Sequence, residues 1–185
     1  VVRYGIIKPI VNKKKILKKF FKKFPTLKNK EFYLFLGRFH EKKGCEIIIE
    51  SVKKLKDNFK SIILFVGPLT ESKYELEIKY LIKKYNLQKK IIISDALFGD
   101  LKLGAIQASR AMVLSSHGEN FGVSLVESLC FGKPVITTNK VNISSEILKY
   151  KAGFVSKNQV KQFSHILKPA DQFQNRPKQN YRMNN

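Results

Sequence analysis

The fold is decided by residues 32–44, which read FYLFLGRFHEKKG. The stretch opens with the apolar run 32–36, and a run without polar alternation is typical of a strand covered on both faces, as in a parallel sheet. Gly37 follows this run, and Gly44 ends the polar segment behind it. A glycine at each of these points allows the chain to turn sharply from a strand into a helix. The stretch therefore predicts a strand, a short loop and a helix in succession.

The same order recurs along the chain. Further short apolar runs lie at 62–66, 91–93, 112–114, 135–136 and 153–155. Segments in which apolar residues have helical spacing lie between them, at 47–55, 76–82 and 125–129. Alternating strands and helices imply right-handed crossovers, so we predict an α/β fold with a Rossmann-like, doubly wound parallel sheet. Ligands of such sheets bind beyond the carboxyl ends of the strands, which makes the loops after the apolar runs the candidate site.

The composition is that of one globular domain with a strong basic excess. The chain has 185 residues, 43% of them hydrophobic, and 36 Lys+Arg against 14 Asp+Glu give a formal net charge of +22. This length supports one core and is short for two full domains. Because the chain begins at Val1 with apolar sequence, we expect a piece of a longer protein. Within it we predict a basic leader with an amphipathic helix at 1–30, the Rossmann-like domain at 31–157, and a helix ending near Pro169 with a polar tail at 158–185.

The sequence favours a cytoplasmic location. No stretch approaches the roughly 18 apolar residues that a membrane span requires, and the first residues lack a secretory pattern. Cys45 and Cys130 have no CxxC spacing, which argues against a disulfide scaffold or a zinc site. We expect both cysteines to be small buried hydrophobic residues.

The basic excess alone would suggest a protein that binds nucleic acid. Only five of the 36 basic residues are Arg, so 36 − 5 = 31 are Lys. Base readout and bidentate phosphate contacts favour Arg over Lys. We therefore interpret the lysine enrichment mainly as a compositional bias and expect no nucleic-acid partner. A module that binds nucleic acid or an anionic membrane surface is the alternative function.

The densest basic cluster is residues 13–24, KKKILKKFFKKF. Its large apolar residues fall at helical spacing: Leu17, Phe20, Phe21 and Phe24. A helix here presents one apolar stripe flanked by lysines. Such a stripe either docks on the body of the protein or lies on an anionic membrane. We favour docking and keep peripheral attachment to the inner face of the membrane as the second interpretation.

The loop after the first predicted strand has the features of a phosphate-binding loop. Arg38 and Lys43 flank the start of the following helix, where backbone amides and the helix dipole already favour an anion. The loop matches neither the P-loop pattern nor GxGxxG. From these residues alone, an ordinary strand-to-helix turn in a lysine-rich protein stays open as the alternative.

A second polar loop follows the run 112–114 and leads into a helix that starts near Phe121 or Gly122. Glu119 lies just before the first turn of this helix, and Glu127 lies within it. Carboxylate oxygens are natural partners for the vicinal hydroxyls of a ribose or a hexose. The exposed amides of the first turn can receive a diphosphate. We therefore expect the two carboxylates to face one space of ligand size.

Together these motifs resemble the donor-binding half of retaining glycosyltransferases with the two-domain GT-B architecture, the group 1 or family 4 type. The resemblance rests on Glu119 and Glu127, an E-x7-E pattern within SxxxENFGxxxxExxxxGxPVI, and on Arg38 and Lys43 upstream. It covers about residues 31–157. It implies that the chain is the C-terminal half of a GT-B fold, that its Rossmann-like domain binds a nucleotide sugar, and that the N-terminal half is absent.

The resemblance also implies a role for each matching residue. Arg38 and Lys43 would bind the diphosphate and stabilise the charge that develops on it as the glycosidic bond breaks. Glu119 would hold the hydroxyls of the donor sugar, which makes Arg38, Lys43 and Glu119 the catalytic candidates. His117 is either a cleft residue near the sugar or a structural loop histidine. The substrate-binding candidates are Gly37, His117, Asn120, Phe121, Gly122, Val123, Ser124 and Glu127, of which Glu127 would hold the ribose hydroxyls.

The reaction implied is the transfer of a sugar from a UDP- or GDP-linked donor to a glycan or lipid-linked acceptor, with retention of configuration. The resemblance requires no metal, and the sequence contains no D-x-D motif, so we expect neither metal ligands nor a cofactor. The family's N-terminal half supplies the acceptor contacts, so we expect this fragment to catalyse little alone. A Rossmann module with a regulatory or oxidoreductase role ranks last, because GxGxxG is missing.

Overall fold

A parallel β-sheet forms the centre of the structure, a computed structural model that describes residues 6–7 and 9–172. The strands in this part of the chain are β1 Phe32–Leu36, β2 Ile62–Val66, β3 Ile91–Ser94, β4 Ala111–Leu114, β5 Val135–Thr138 and β6 Gly153–Ser156. All neighbouring strands are parallel, in the order β3-β2-β1-β4-β5-β6. The four inner strands are almost wholly buried, whereas the edge strands β3 and β6 are mostly half-buried. This burial explains why the inner strands read as apolar runs.

Helices cover both faces of the sheet. They are α1 Lys13–Lys23, α2 Cys45–Leu55, α3 Lys73–Lys84, α4 Gly99–Ala108, α5 Val123–Cys130, α6 Ser144–Lys149 and α7 Val160–Gln172. Right-handed crossovers that lead to opposite sides of β1 place α2 and α3 on one face and α5 and α6 on the other. On the first face, α2 packs against α3 and α7. Separately from these three helices, α1 packs against α4. The predicted fold class is confirmed.

The sequence pattern located most elements but missed two helices. All six apolar runs are strands, and the helical segments 47–55, 76–82 and 125–129 lie in α2, α3 and α5. The short helix α6 and the helix α4 had no clear periodic pattern. Residues of α4 are buried or half-buried around most of the helix, and α1 packs against it. An amphipathic stripe is therefore missing from its sequence.

The prediction that the last helix ends near Pro169 is wrong, since α7 continues to Gln172. The predicted polar tail from 173 onward lies outside the described residues, as do residues 1–5 and 8 of the predicted leader. None of the helices described within 6–7 and 9–172 combines the length and the apolar character that crossing a membrane requires.

Helix α1 docks on the body of the protein through its apolar stripe. Ile16 and Phe20 are buried, and the Phe20 ring stacks on Phe32 with 5.6 Å between ring centroids. A Cβ on Gly104 of α4 would collide with the backbone of Ile16 and with Phe20, so the two helices approach closely. The interpretation of the stripe as a docking face is therefore correct, and the lysines of α1 point outward.

Candidate functional site

The strand order reverses direction between β1 and β4. The chain leaves β1 toward β2 on one side and returns to β4 on the other, so the loops after β1 and β4 diverge around a crevice at the carboxyl edge of the sheet. These are the loops 37–44 and 115–122, which carry most of the predicted site residues. The topology thus brings the two sequence motifs to one edge.

The two loops are in direct contact through their backbones. Gly44 caps α2 with φ +64°, and a Cβ at this position would collide with the carbonyl oxygen of Ser115. The buried Ser115 hydroxyl donates a hydrogen bond to the Gly44 carbonyl oxygen. The backbone N–H of His117 donates to the Lys42 carbonyl oxygen at 2.9 Å. Gly44 is therefore required both for its left-handed backbone and for the close approach of the loops.

Lys43 and Glu119 form an ion pair across this contact. The Lys43 ammonium donates to Glu119 Oε2, and the two side chains are 23% and 19% exposed. The stem of Lys43 passes over Gly37, since a Cβ on that glycine would lie 3.9 Å from Lys43 Cε. The structure thus joins one residue from each predicted motif.

The backbone of Glu119 is fixed by the segment that follows β5. Its N–H donates to the Lys140 carbonyl oxygen at 3.0 Å, and its carbonyl oxygen accepts from the Asn142 N–H at 3.0 Å. Glu119 and Val141 form a parallel bridge. These bonds hold the Glu119 carboxylate on a rigid backbone rather than on a free loop.

Helix α5 begins directly behind Glu119 and has no side-chain cap. Gly122 is its N-cap, with φ +69°. The backbone N–H groups of Val123 and Ser124 donate to no group among the described residues. Asn120 is exposed, and Phe121 is half-buried. The first turn of α5 can therefore offer two N–H donors to an anion, as predicted for 121–124.

Glu127, on α5, is paired with a lysine that the sequence analysis did not select. Lys102 Nζ donates to Glu127 Oε1 at 2.6 Å, and both side chains are partly buried. Lys102 lies in the first turn of α4, close to the carboxyl end of β3. The second carboxylate of the E-x7-E pattern is thus oriented by a cation from a neighbouring helix.

His117 belongs to a hydrogen-bonded chain that reaches α3. Its Nε2 lies 2.6 Å from Glu46 Oε1 in the first turn of α2. The Tyr74 hydroxyl donates to Glu46 Oε2 and accepts from the Cys45 N–H at 2.9 Å. Burial raises the pKa of the Tyr74 hydroxyl, with contributions from Cys45 and from its bond to Glu46, so this hydroxyl stays a proton donor. Both oxygens of Glu46 are therefore engaged, and His117 is held in place beside the loop 37–44.

The two cysteines differ in their surroundings. Cys45 is fully buried, as expected, and burial raises the pKa of its thiol, followed by the effect of the Glu46 charge. Cys130 is only half-buried, so the expectation for it is wrong; its thiol lies 3.8 Å from the Ile6 carbonyl oxygen. Cys45 is therefore an inert thiol next to the site rather than a nucleophile.

Arg38 is exposed and forms no ion pair within the part of the chain that the structure describes. Gly37, which precedes it, donates its N–H to the Val66 carbonyl oxygen at 3.0 Å. A Cβ on Gly67, after β2, would collide with the Gly37 carbonyl oxygen. The loops after β1 and β2 therefore pack tightly, while the Arg38 guanidinium is free to reach a ligand.

The structure brings Lys43, Glu119, His117 and the start of α5 together around the contact between the two loops, and it gives Glu127 a separate partner. Sequence reasoning missed Glu46, Tyr74 and Lys102. Glu46 had a local signal, because it follows the predicted phosphate loop in the first turn of a helix. Tyr74 and Lys102 had none, since their roles depend on how helices pack.

A sequence model of the family described as glycosyl transferases group 1 matches residues 17–183. The chain is 32% identical over 116 residues to the 2-deoxystreptamine N-acetyl-D-glucosaminyltransferase of Niallia circulans. That alignment covers 61% of this chain and 28% of the relative.

Solved structures show the same fold. The glycosyltransferase from Rickettsia africae superposes with a TM-score of 0.76 at 24% identity, covering 88% of this chain and 43% of that chain. Anabaena HepE in complex with UDP-glucose superposes with a TM-score of 0.72 at 18% identity, covering 84% and 42%. The chain thus spans less than half the length of each of these three proteins.

Proposed function

This chain belongs to the glycosyl transferases group 1 family, and we propose that it is the donor-binding half of a retaining glycosyltransferase that uses a nucleotide-diphosphate sugar. Its fold is the Rossmann-like C-terminal half of the GT-B architecture. The observation that carries the proposal is the ion pair between Lys43 and Glu119, because it joins the phosphate loop to the E-x7-E segment at the crevice between β1 and β4.

The proposed site for the diphosphate consists of cations and amides. Lys43 and Arg38 supply positive charge from the loop after β1, and the N–H groups of Val123 and Ser124 supply donors from α5. These groups neutralise the charge that grows on the leaving diphosphate as the glycosidic bond breaks. Arg38, Lys43 and Glu119 are accordingly the proposed catalytic residues.

The two carboxylates of the E-x7-E pattern are the proposed acceptors for the hydroxyl groups of the donor. In this proposal Glu119 accepts from the hydroxyls of the donor sugar, with Asn120, Phe121, Gly122 and His117 around it. Glu127 accepts from the ribose hydroxyls, and Lys102 orients its carboxylate. The solved HepE complex contains UDP-glucose, which supports a nucleotide sugar as the partner of this family. We propose UDP- or GDP-linked donors, retention of configuration, and a reaction that needs neither a metal ion nor another cofactor.

The acceptor belongs to the rest of the enzyme. The relatives described above are about twice as long as this chain, so the proposed partner is an N-terminal half that holds a glycan or lipid-linked acceptor. The donor half alone would bind nucleotide sugar and transfer little, because transfer requires both substrates in line. The proposed location is the cytoplasm, which is supported by the two cysteines being free thiols.

Thermal shift with a ligand panel tests the proposal. UDP-glucose, UDP-N-acetylglucosamine and GDP-mannose are added to the chain in buffer with EDTA, and at least one of them should raise the melting temperature by mass action. Arg38→Ala and Glu127→Ala should reduce the shift. If none of the nucleotide sugars stabilises the chain, and duplex DNA does so with a steep salt dependence, the alternative function as a polyanion-binding module replaces this one.

A further inference from the structure

The outer face of α1 carries a dense positive patch. All seven lysines of this helix are exposed and form what we term the α1 lysine face: Lys13, Lys14, Lys15, Lys18, Lys19, Lys22 and Lys23. The helix contains no acidic residue. Asp100, at the start of α4, pairs with Lys19 at 2.6 Å and lies 3.8 Å from Lys15. Lys14, Lys18, Lys22 and Lys23 have no ion-pair partner among the described residues.

The orientation of this face is fixed by packing. The apolar stripe of α1 is buried against α4, so the helix cannot roll to hide its lysines. With 11 residues, the helix is about 16 Å long, and its lysines spread over the side of the helix that faces away from α4. A fixed helix that presents lysines over this length can approach a flat, negatively charged surface.

A shallow groove lies directly beside the lysines, and its apolar lining comes from Phe98, Leu101 and the lysine stems. It has a volume of about 560 Å³ and is lined by Lys19, Lys22, Lys23, Phe98, Asp100 and Leu101. The Phe98 side chain is 78% exposed at its rim. An exposed aromatic ring next to lysines is typical of a surface that lies at the interface of a bilayer, where the ring enters the headgroup region and the ammonium groups meet lipid phosphates.

We propose that the α1 lysine face and Phe98 form a docking surface for an anionic lipid bilayer. Charge complementarity and the exposed ring favour a bilayer over nucleic acid. An apolar ring beside the α1 lysine face gains little from contact with a duplex backbone, and the face contains no Arg. The surface borders the donor site, since Leu101 in the groove is followed by Lys102, the partner of Glu127. The proposal rests on α1 and α4 alone and holds whether or not the chain binds a nucleotide sugar.

Sedimentation with vesicles tests this surface. The chain is mixed with vesicles of phosphatidylcholine alone and with vesicles in which roughly 30% of the lipid is anionic phosphatidylglycerol. The test variant replaces Lys14, Lys18, Lys22 and Lys23 with Gln. The matched control replaces four exposed lysines elsewhere with Gln, lowering the net charge equally: Lys54, Lys89, Lys161 and Lys168.

The wild-type chain and the control should bind the anionic vesicles and not the neutral ones. The test variant should lose about fivefold in affinity for each lysine removed. Phe98→Ser leaves the charge unchanged and should weaken vesicle binding several-fold while the melting temperature stays the same. Equal losses in the test variant and the control would overturn the proposal, as would a lack of vesicle binding by the wild type. Loss of duplex DNA binding in the test variant, with vesicle binding intact, would assign the face to nucleic acid instead.

Discussion

Lys43 and Glu119 are bonded to each other across the two loops that meet at the crevice of the sheet. Each is the proposed partner of a different part of the donor, Lys43 of the diphosphate and Glu119 of the sugar. In the proposed function, binding of a nucleotide sugar would exchange this ion pair for two new sets of contacts. Without a ligand, the ion pair keeps both side chains oriented. The negative charge of Glu119 also opposes the binding of a diphosphate that carries no sugar.

Glu119→Gln should have opposite effects on the affinity for the diphosphate and on the affinity contributed by the sugar. Without the carboxylate, the nucleoside diphosphate should bind about fivefold more tightly, because its competitor for Lys43 is removed. The additional affinity supplied by the sugar should fall about tenfold, because a charged acceptor of hydroxyl hydrogen bonds is lost. Calorimetric titration with the nucleoside diphosphate and with its sugar derivative measures both effects. Glu77→Gln, at an exposed position on α3, is the control, and a parallel loss for both ligands in Glu119→Gln would contradict the exchange.

Glu127→Ala should abolish discrimination at the ribose. The wild-type chain should bind a 2′-deoxynucleoside diphosphate about tenfold more weakly than the ribonucleotide, and the variant should bind both equally. Lys102→Met retains the carboxylate but removes the cation that orients it, so the preference should weaken without being abolished. Affinities from competition titrations decide the question, and an unchanged preference in Glu127→Ala would remove this residue from the ribose site.

Gly44→Ala should be far more harmful than Gly132→Ala. Both glycines have left-handed backbones, with φ +64° and +69°, so both substitutions carry a conformational strain of about 1 kcal/mol. Only at Gly44 does the new Cβ collide with Ser115, while a Cβ on Gly132 meets no atom within 4 Å. We expect the free energy of unfolding to fall by about 3 kcal/mol in the first variant and about 1 kcal/mol in the second. Urea unfolding measures this difference, and equal losses would show that the contact between the loops is not tight.

Lys133 should make the free energy of unfolding depend on pH in the alkaline range. Burial, aided by the nearby charge of Lys13, lowers the pKa of Lys133 from 10.5 to about 8. Between these values the unfolded chain binds more protons at this residue than the folded chain, so the contribution of Lys133 to the free energy of unfolding rises with pH. The rise should be about 2 kcal/mol, allowing for the partial exposure of the side chain.

Comparison with Lys133→Met isolates this contribution. Burial raises the pKa of Cys45 and Tyr74, which lowers stability at alkaline pH, but this effect is present in both proteins and cancels in the difference. The stability of the wild type relative to the variant should increase between about pH 7 and pH 10. A difference that does not change with pH would mean that Lys133 remains charged in the folded state.

The sheet and the position of the two loops at its edge were predictable because their signals are local. Inner parallel strands are buried on both faces, so their sequences are continuous apolar runs. The topology of such a sheet then places the loops after β1 and β4 together without any knowledge of side-chain packing. The loops that carry Lys43 and Glu119 therefore meet although 76 positions separate the two residues, whereas their assignment to one site came from the family resemblance.

The partners of these residues could not be predicted because they depend on helix packing. Helix α4 lacks an amphipathic pattern, so Lys102 had no assigned position and its bond to Glu127 could not be anticipated. Tyr74 reaches Glu46 only because α3 packs beside α2. For the apolar stripe of α1, docking on the protein was one of two interpretations that the sequence left open, and the close approach at Gly104 shows that the stripe is buried there.

The most direct test of the proposed function is isothermal titration of the chain with the nucleotide sugar that gives the largest thermal shift, in buffer with EDTA, alongside Lys43→Ala. We expect saturable binding of one ligand per chain by the wild type and an affinity at least about tenfold lower for the variant, because a charge-assisted contact to the diphosphate is lost. Equal affinity in the two proteins, or no binding by the wild type, would contradict the assignment of this crevice to a nucleotide-sugar donor.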